Sequence, residues 1–507
     1  MSPKAAATIA PDVAVVGGGP AGATAARLLA EWGYDVILLC RPAGTVTSLA
    51  ESVPPSTRKV LAAVGALELV ERAGFLPTRG NTSWWGGEEA RVEGFLGGAH
   101  GWQVLRADLD ALLLRAAGGS GVRVERETRV RRVSLEDSEG PELEVEREGV
   151  GAVTFRARHV LDASGRAGVL ARRGFRREGG PRTLALCAVW RRAGGFDVPD
   201  ESHTLVESFA FGWAFSVPVA PDVRHVAVML DPPPRSSRPR DVRGLYERGL
   251  KNARRMGALL ADAELVTPPW ALDATGYTAS AFAGEGFTLV GDAGSFLDPL
   301  SSFGVKKALA SGWLAAVAAH TALRDSSRAA LAAEFFSRRE AQVQARYAHE
   351  TALHAARAAA GHTGSAFWTA RASAPHPGAG DDDALASEEA VRLAFAALKT
   401  RPVLRLRLAT GVRIAPAPRV RGREIAMAEA LLAPDGRAIH FVSGVEAATL
   451  ARLAPGIAEV GQLCEAYERA APGVETAVLL HGLSTLLAAG LLGDDSGSGR
   501  PAADAPR

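Results

Sequence analysis

The chain has 507 residues, a length that at about 150 residues per domain predicts roughly two to four domains. Its 58 Lys and Arg residues nearly balance its 56 Asp and Glu residues, which disfavours a nucleic-acid binder, and no apolar stretch reaches the roughly 18 residues of a membrane span. Three widely separated cysteines and an N-terminus without an apolar core predict a soluble protein of the reducing cytoplasm, with no disulfide framework, metal centre or signal peptide.

The first elements of the chain are short apolar strands joined by a glycine turn and a helix. Val13–Val16 and Val36–Leu39 are the strands, and residues 23–32 form an Ala- and Leu-rich helix between them. Apolar strands without polar alternation are typical of a parallel sheet that is covered on both faces. We therefore predict an α/β fold with a three-layer, Rossmann-like domain. Its predicted segments are residues 11–80, 103–175 and 270–350.

A second, β-rich region interrupts this domain. Residues 81–102 and 176–269 are predicted to form an inserted, mostly antiparallel sheet that binds substrate. The chain then returns to a buried strand near Phe287 and enters a long apolar helix at residues 305–323. The helix predicted next, at residues 334–360, is rich in arginine, and its charges are expected to face solvent.

A stretch rich in Gly, Pro, Ser and Asp, residues 361–388, predicts a linker to a small C-terminal module. A hairpin signal followed by three short helices gives residues 400–493 the pattern of a winged-helix-like α+β module. Residues 441–493 contain two arginines and five glutamates, which disfavours DNA binding. The module resembles small winged-helix modules that hold leader peptides, and a packing or dimerisation domain is the alternative. Residues 494–507 are predicted to be a disordered tail.

The glycine turn after the first strand has the spacing of a dinucleotide-binding loop. Gly17 allows the tight turn, Gly19 lets the backbone approach a pyrophosphate, and Gly22 lets helix and strand pack closely. The N-terminus of the following helix directs its positive dipole end at the phosphates. A chance glycine turn is the alternative, and the strand and helix on either side disfavour it.

Two aspartate turns follow other apolar runs farther along the chain. One contains Asp162 and Gly165. The other contains Gly291 and Asp292, and both turns lie where a parallel sheet presents its carboxyl edge to a ligand. Together with the glycine turn, these motifs resemble the superfamily of FAD-dependent aromatic hydroxylases and flavin-dependent halogenases. The resemblance implies FAD as the cofactor, a ribityl hydroxyl that hydrogen-bonds Asp292, and a further cofactor-binding residue in Arg106.

The second strand departs from the family's pattern where it ends. Cys40 occupies the position at which an acidic side chain usually accepts a hydrogen bond from the adenosine ribose, so Arg41 is expected to support the adenosine instead. A reactive redox thiol and a buried structural thiol are the alternatives for Cys40, and the buried thiol is favoured.

Three further segments resemble those of flavin-dependent halogenases. The first is a GES-like segment with Glu51 and Ser52. The second, with Trp213 and Phe215, resembles the WxWxIP motif. The third is the stretch DPLSSFG at residues 298–304, which resembles the loop that carries halide near the flavin and includes Pro299, Ser302 and Gly304.

The lysine that takes up oxidised halide in that family has no counterpart in its usual segment. Thr78, Arg79 and Gly80 occupy that place, and the lysine nearby is Lys59, on the preceding helix. Arginine is a poor substitute because its guanidinium is delocalised and always protonated. Halogenation is therefore the second hypothesis.

Residues 80–86, 101–106 and 298–309 match another branch of the superfamily more closely. They resemble flavoproteins that mature tryptophylquinone-containing oxidases by hydroxylating a tryptophan in a partner polypeptide. Trp84, Trp85, Trp102 and Trp213 are each as compatible with core packing as with a site, but as a group they favour a site for a flavin and an aromatic ring.

The resemblance implies an FAD-dependent monooxygenase that hydroxylates an indole or phenol through a flavin C4a-hydroperoxide. The substrate is expected to be a small aromatic molecule or a ring on a peptide or carrier, and reducing power comes from NAD(P)H contact or a separate flavin reductase. A halogenase and a non-catalytic FAD-binding partner protein are the alternatives.

The resulting set of candidate residues has a catalytic and a cofactor-binding part. The predicted catalytic residues are Trp85, Trp213, Phe215, Ser302 and Gly304. The predicted cofactor-binding residues are Gly17, Gly19, Gly22, Arg41, Glu51, Ser52, Arg106, Asp162, Gly165, Gly291, Asp292, Pro299 and Gly304. Glu207 is a candidate acid or base, although a surface position is favoured. His203, His225 and His320 are expected to be structural.

Overall fold

The computed structural model of the chain describes residues 10–41, 48–136, 139–147, 149, 151–233, 241–301, 303–373, 385–401 and 403–495. The chain divides into two compact units, Met1–Gly378 and Ala379–Arg507. The predicted α/β class, with a parallel sheet and an antiparallel sheet in one unit, is confirmed. Within the described residues, no helix combines the length and apolarity needed to cross a bilayer.

A six-stranded sheet forms the centre of the first unit. Adjacent strands run parallel except for one antiparallel pair at the edge. The apolar central strands are fully buried, as expected for a sheet covered on both faces. The strand order is Ala283–Gly284, Phe287–Leu289, His159–Asp162, Val13–Val16, Val36–Leu39 and Arg123–Glu125.

Three helices of the first unit pack around the glycine turn. Helix Pro20–Glu31 follows the turn and contacts both Arg106–Gly119 and Gly304–Arg324. Ala308 of Gly304–Arg324 lies beside Gly291, and a Cβ on Gly312 would come within 2.4 Å of the Ala21 carbonyl oxygen. The long helix Ala329–Gly361 packs in turn against Gly304–Arg324.

A second, larger sheet carries the side chains predicted to meet substrate. Its strands are antiparallel except for one parallel pair, Gly80–Trp84 with Thr204–Phe209. Alternate residues point to opposite faces, so Ala214 packs with helices Val242–Asn252 and Arg254–Leu259, whereas Trp213 packs on the other face. The strand order is Glu264–Leu265, Leu184–Arg191, Val223–Leu230, Gly212–Ala220, Thr204–Phe209, Gly80–Trp84 and Arg91–Gly94, and Trp270–Asp273 pairs with Leu184–Arg191.

Three small sheets and several short helices complete the first unit. The sheets are Ala50–Val53 with Gly101–Leu105 and Leu76–Thr78; Thr128–Ser134 with Glu142–Arg147 and Gly151–Arg156; and Arg176–Glu178 with Tyr277–Ala279 and Ser295–Phe296. The short helices include Arg58–Ala63, Leu67–Glu71 and Ala366–Ala372.

The second unit is a small α+β module around its own apolar core. A long hairpin, Arg413–Arg421 with Glu424–Leu432, precedes the helices Ala447–Leu453, Val460–Ala470 and Thr476–Ala488. The predicted hairpin joined Glu424–Leu432 to residues 437–442, and the structure pairs only Leu431 and Leu432 with Ala438 and Ile439 there. A helix before the hairpin, Glu388–Thr400, and the strand pair Leu406–Leu408 with Leu492–Asp494 complete the module.

The structure differs from the sequence-based prediction at three places. Residues 366–372, within the predicted linker 361–388, form a helix with buried Phe367 and Trp368, because an amphipathic turn outweighs the flanking Gly and Ser. Asp494, assigned to the tail, ends a paired strand; residues 496–507 lie outside the described residues. Glu340, expected on a solvated helix face, is buried.

Candidate active site

A cavity of about 290 Å³ lies within the first unit, and it is lined by turns that follow strands of the parallel sheet and by strands of the antiparallel sheet. We call its two sides the cofactor wall and the aromatic wall. The cofactor wall consists of Gly19, Glu51, Ser52, Arg106, Gly165, Asp292 and Lys307. The aromatic wall consists of Ala185, Cys187, Thr204, Val206, Trp213, Phe215, Val217, Met229 and Leu272.

The glycine turn has the tight geometry that a dinucleotide requires. Gly17 has φ +108°, and a Cβ on Gly22 would lie 1.9 Å from the Gly17 carbonyl oxygen. Gly19 begins the helix Pro20–Glu31, and no side chain caps this N-terminus. Uncapped N–H groups at a helix end beside a cavity fit a pyrophosphate, so the residues present fit FAD.

Arg106 is the centre of an ion-pair network on the cofactor wall. Its Nη1 lies 2.6 Å from Glu51 Oε1, and its Nε lies 3.0 Å from Asp110 Oδ1. Burial alone would lower the pKa of the Arg106 guanidinium, but the two carboxylates raise it above its usual range. Burial raises the pKa of Asp110, and Arg106 opposes that shift. The network fixes Arg106 as a permanent cation beside Gly19.

The GDA turn places Asp292 at the carboxyl edge of the parallel sheet, about one third exposed to the cavity. The Tyr277 hydroxyl donates to the Asp292 backbone carbonyl at 2.7 Å, which holds the turn in place. Gly304, at the start of the next helix, also borders the cavity, and a Cβ there would lie 3.5 Å from Glu51 Oε2. Pro299 borders the cavity as well.

The aromatic wall is held by stacked rings. Trp213 is only 2% exposed and stacks on Phe215 with ring centroids 5.5 Å apart. Thr204 and Cys187 are the polar side chains of this wall, and burial raises the pKa of the Cys187 thiol to about 12. The aromatic wall is therefore uncharged at neutral pH.

Several predicted site residues shape the cavity without lining it. Asp162 is fully buried, and its carboxylate accepts hydrogen bonds from the Ser164 hydroxyl and from the backbone N–H groups of Ser164, Leu170 and Ala171. It therefore organises the loop that presents Gly165. The backbone positions behind the wall are Gly17, Gly22 and Gly291. The side chain of Arg41 is exposed, next to residues outside the described ranges. Ser302 itself lies outside the described ranges.

The four tryptophans that the sequence groups together are separated by the fold. Of these, Trp213 lines the cavity, whereas Trp85 packs behind it against Trp213 and Trp368 and donates its Nε1–H to the His354 carbonyl at 2.9 Å. Trp84 borders a groove elsewhere. Trp102 is buried beneath Arg58. The spacing of tryptophans in the sequence does not report which strand face each one occupies.

The remaining candidates have structural roles. Glu207 is buried, not on the surface as expected, and its carboxylate accepts hydrogen bonds from the backbone N–H groups of Arg255 and Met256 at 3.0 and 2.9 Å.

The thiol of Cys40 and two of the histidines also have structural roles. Burial raises the pKa of the Cys40 thiol to about 11, which disfavours the alternative of a reactive thiol. Thr82 Oγ1 contacts His203 Nδ1 at 3.0 Å, and the Tyr34 hydroxyl contacts His320 Nδ1 at 2.9 Å.

Lys307 is the main cavity residue that sequence reasoning missed. It lines the cofactor wall and is 6% exposed, although it follows another lysine, Lys306, in the sequence. Its position in the first turn of an otherwise apolar helix was the available signal. Lys59 and Arg79, the two residues weighed for a halogenase lysine, are both exposed and lie outside the cavity wall.

A larger groove of about 950 Å³ lies on the other side of the antiparallel sheet. Glu207 is the predicted candidate in its lining, and that carboxylate already receives two backbone N–H groups. In the described part of the chain, no three His, Cys, Asp or Glu side chains are grouped as metal ligands. The candidate active site is therefore the smaller cavity.

Comparison with known proteins places the first unit in a family. The FAD binding domain family matches residues 10–348. Tryptophan 2-halogenase from Chondromyces crocatus is 30% identical over 334 residues, which are 64% of this chain and 64% of that protein. The alignment therefore spans just under two thirds of the curated relative's length.

Two solved structures resemble the fold over nearly its whole length. CmlS, a flavin-dependent halogenase, has a TM-score of 0.76 and 25% identity, with 96% of each chain covered. The peptidyl tryptophan dihydroxylase QhpG has a TM-score of 0.69 and 24% identity, with 95% of this chain and 99% of that chain covered.

The family match and the cavity together define the class of protein. The chain belongs to the FAD binding domain family and is similar to flavin-dependent halogenases. Its cofactor is FAD.

Proposed function

We propose that the chain is an FAD-dependent monooxygenase that hydroxylates an electron-rich aromatic ring, an indole or a phenol. The observation that carries this proposal is the composition of the cavity. The described side chains that the large sheet contributes to it are all uncharged, and they share the space with the charged cofactor wall. An apolar wall of this kind holds a flat ring by shape and keeps water from it.

Bound FAD supplies the activation of molecular oxygen. Gly19, Arg106 and Asp292 bind and orient the cofactor, while Trp213 and Phe215 position the ring of the substrate. Cys187 stays a neutral thiol, so the aromatic wall contributes no acid or base. The ring belongs to a small molecule, a peptide or a carrier, and NAD(P)H or a separate flavin reductase supplies the electrons.

Halogenation is the second candidate, and the names of the relatives favour it. The observation against halogenation concerns the lysine that would take up the oxidised halide. Lys307 is the lysine among the described residues of the cavity wall, and its ammonium already donates to the Ser295 carbonyl and lies 3.4 Å from Asp292 Oδ1. That ammonium is on the cofactor wall and not on the aromatic wall.

The two candidates differ in the atom that enters the ring. We would supply the holoenzyme with NADH, a flavin reductase, ¹⁸O₂ and bromide, and offer tryptophan, phenol and a tryptophan-containing peptide as separate probes. Mass spectrometry is expected to find ¹⁸O in the ring of one probe, with less product from Trp213→Phe. A ring that contains bromine and no ¹⁸O would contradict hydroxylation and support halogenation. Peroxide without a modified ring from any probe would contradict the proposed substrate class.

A further inference from the structure

A cluster of polar side chains, most of them buried, extends from the cofactor wall into the interior, and we call it the Lys307 cluster. Its members are Asp292, Ser295, Lys307, Ser311 and Glu340. Lys307 is 6% exposed and Glu340 is 4% exposed. The Lys307 ammonium donates to the Ser295 carbonyl and lies 3.4 Å from Asp292 Oδ1. Two members of the cluster, Asp292 and Lys307, also line the cavity.

Glu340 is the member whose charge is least fixed. It lies on the long helix Ala329–Gly361, which packs against the helix that carries Lys307 and Ser311. Among the described residues, Glu340 Oε2 has no hydrogen-bond partner. Burial raises the pKa of Glu340 to about 7, and Lys307 and the Ser311 hydroxyl oppose this shift. The carboxyl group therefore changes its charge near neutral pH.

The charged groups around Glu340 come from three elements. Lys307 on the neighbouring helix and Arg339 on its own helix favour the carboxylate, whereas Asp292 in the GDA turn disfavours it. Because Asp292 raises the pKa of Glu340, a further negative charge in the cavity beside Asp292 acts in the same direction. Glu340 thus senses charge in the cofactor site through Lys307 and Asp292.

We propose that Glu340 takes up a proton when the bound FAD is reduced. The proposal rests on the binding of FAD at the cofactor wall, as the proposed function does. A reduced nicotinamide delivers a hydride, which is two electrons and one proton, to the flavin ring. Dithionite in the test delivers two electrons, and the ring takes its one proton from water. In both cases the ring is left with one added negative charge. One proton from solvent then binds the Glu340 carboxylate and offsets that charge. Lys307 and Asp292 are the positioning residues of this coupling.

The coupling is measured as the preference of the protein for reduced over oxidised FAD, because linkage makes the two effects reciprocal. A mutual shift of one pKa unit corresponds to a factor of about ten in the ratio of the two dissociation constants. The ratio is obtained from the reduction potentials of bound and free FAD, measured by dye equilibration from pH 6 to pH 8.5. This readout requires no substrate.

Glu340→Gln is the main variant. It is neutral at every pH, so at pH 8.5 it is expected to favour reduced FAD about tenfold more than the native protein does, and at pH 6 to match it. Lys307→Met is expected to disfavour reduced FAD at both pH values. The matched control is Glu334→Gln, on the same helix but exposed, which is expected to behave as the native protein. An unchanged pH dependence in Glu340→Gln would overturn the proposal.

A second measurement compares the native holoenzyme with the Glu340→Gln holoenzyme. A pH indicator in weakly buffered solution is expected to report more protons taken up per FAD reduced in the native protein, with the excess largest near pH 7 and lost above pH 9. No excess at any pH would also overturn the proposal. Protein that couples protons in this way but yields no hydroxylated probe would contradict the proposed function alone.

Discussion

The two walls of the cavity differ in how they control charge. On the cofactor wall, Arg106 is held between two carboxylates, and Lys307 is held by a carbonyl and a carboxylate. On the aromatic wall, every described side chain is uncharged, and Trp213 and Phe215 are fixed by stacking. The same cavity thus combines a polar site with an apolar one.

The difference indicates that one wall binds the cofactor and the other positions the substrate ring. A charged, branched cofactor is recognised by fixed charges and helix ends, which act through hydrogen bonds of defined geometry. A flat aromatic ring offers few such groups, so it is positioned by shape and by exclusion of water. Substitutions in one wall should therefore leave the function of the other unchanged.

The largest effect is expected from Arg106→Met. This change removes the cation between Glu51 and Asp110 and leaves two carboxylates beside the site of the phosphates, so the Kd for FAD should rise about 100-fold. Fluorescence titration of the apoprotein with FAD measures it. Arg115→Met, an exposed position on the same helix, is the control. Unchanged affinity in Arg106→Met would contradict a role of this residue in binding FAD.

Trp213→Phe is expected to impair the aromatic wall alone. A smaller ring misplaces the substrate, so kcat/KM should fall about tenfold while the Kd for FAD stays constant. Trp368→Phe is a matched control, because Trp368 lies in the same apolar cluster but outside the cavity. Loss of FAD affinity in Trp213→Phe would show that the walls are not independent.

A pH effect on stability should arise from one histidine in each large sheet. Burial lowers the pKa of His159 and of His225 to about 4, so both stay neutral in the fold near neutral pH. Between pH 6.5 and 4 the unfolded chain binds more protons. The contribution of the two neutral histidines to the free energy of unfolding is therefore complete above pH 6.5. Between pH 6.5 and 4 the free energy of unfolding falls with decreasing pH, by about 1.4 kcal/mol per pH unit for each histidine.

Urea unfolding of the first unit at pH 7 and pH 5 tests this effect, with His159→Gln and His225→Gln as single variants. Each variant should lose stability less steeply than the native chain as the pH falls. Identical slopes for native chain and variants would contradict the assignment of the two buried neutral histidines.

The smallest effect is expected from Trp85→Phe. The change removes the hydrogen bond to the His354 carbonyl and should lower the free energy of unfolding by about 1 kcal/mol. FAD affinity and kcat/KM should be unchanged, because Trp85 lies behind the cavity wall. A tenfold fall in kcat/KM would instead support the prediction from sequence that Trp85 is a catalytic residue.

The sequence was more informative about the cofactor wall than about the aromatic wall. Gly19 and Asp292 belong to turns that follow strands of the parallel sheet, so their convergence was predictable. Arg106 begins a helix after a strand of a small sheet, and the family resemblance indicated its position. Asp162 belongs to an equally clear motif, but its carboxylate satisfies backbone N–H groups of the following loop. The motif therefore predicted where the turn lies, but not the direction in which the Asp162 side chain points.

What the sequence by itself determined was the class of fold, the cofactor and the position of the turns that surround it, because glycines, short apolar strands and helix starts act over a few residues. Only the tertiary structure decided which tryptophan borders the cavity, and only it revealed that Lys307 and Glu340 are both buried and that Lys307 favours the Glu340 carboxylate. Such choices depend on the pairing of strands and the packing of helices far apart in the chain. Burial, which sets their charges, is a property of the assembled fold.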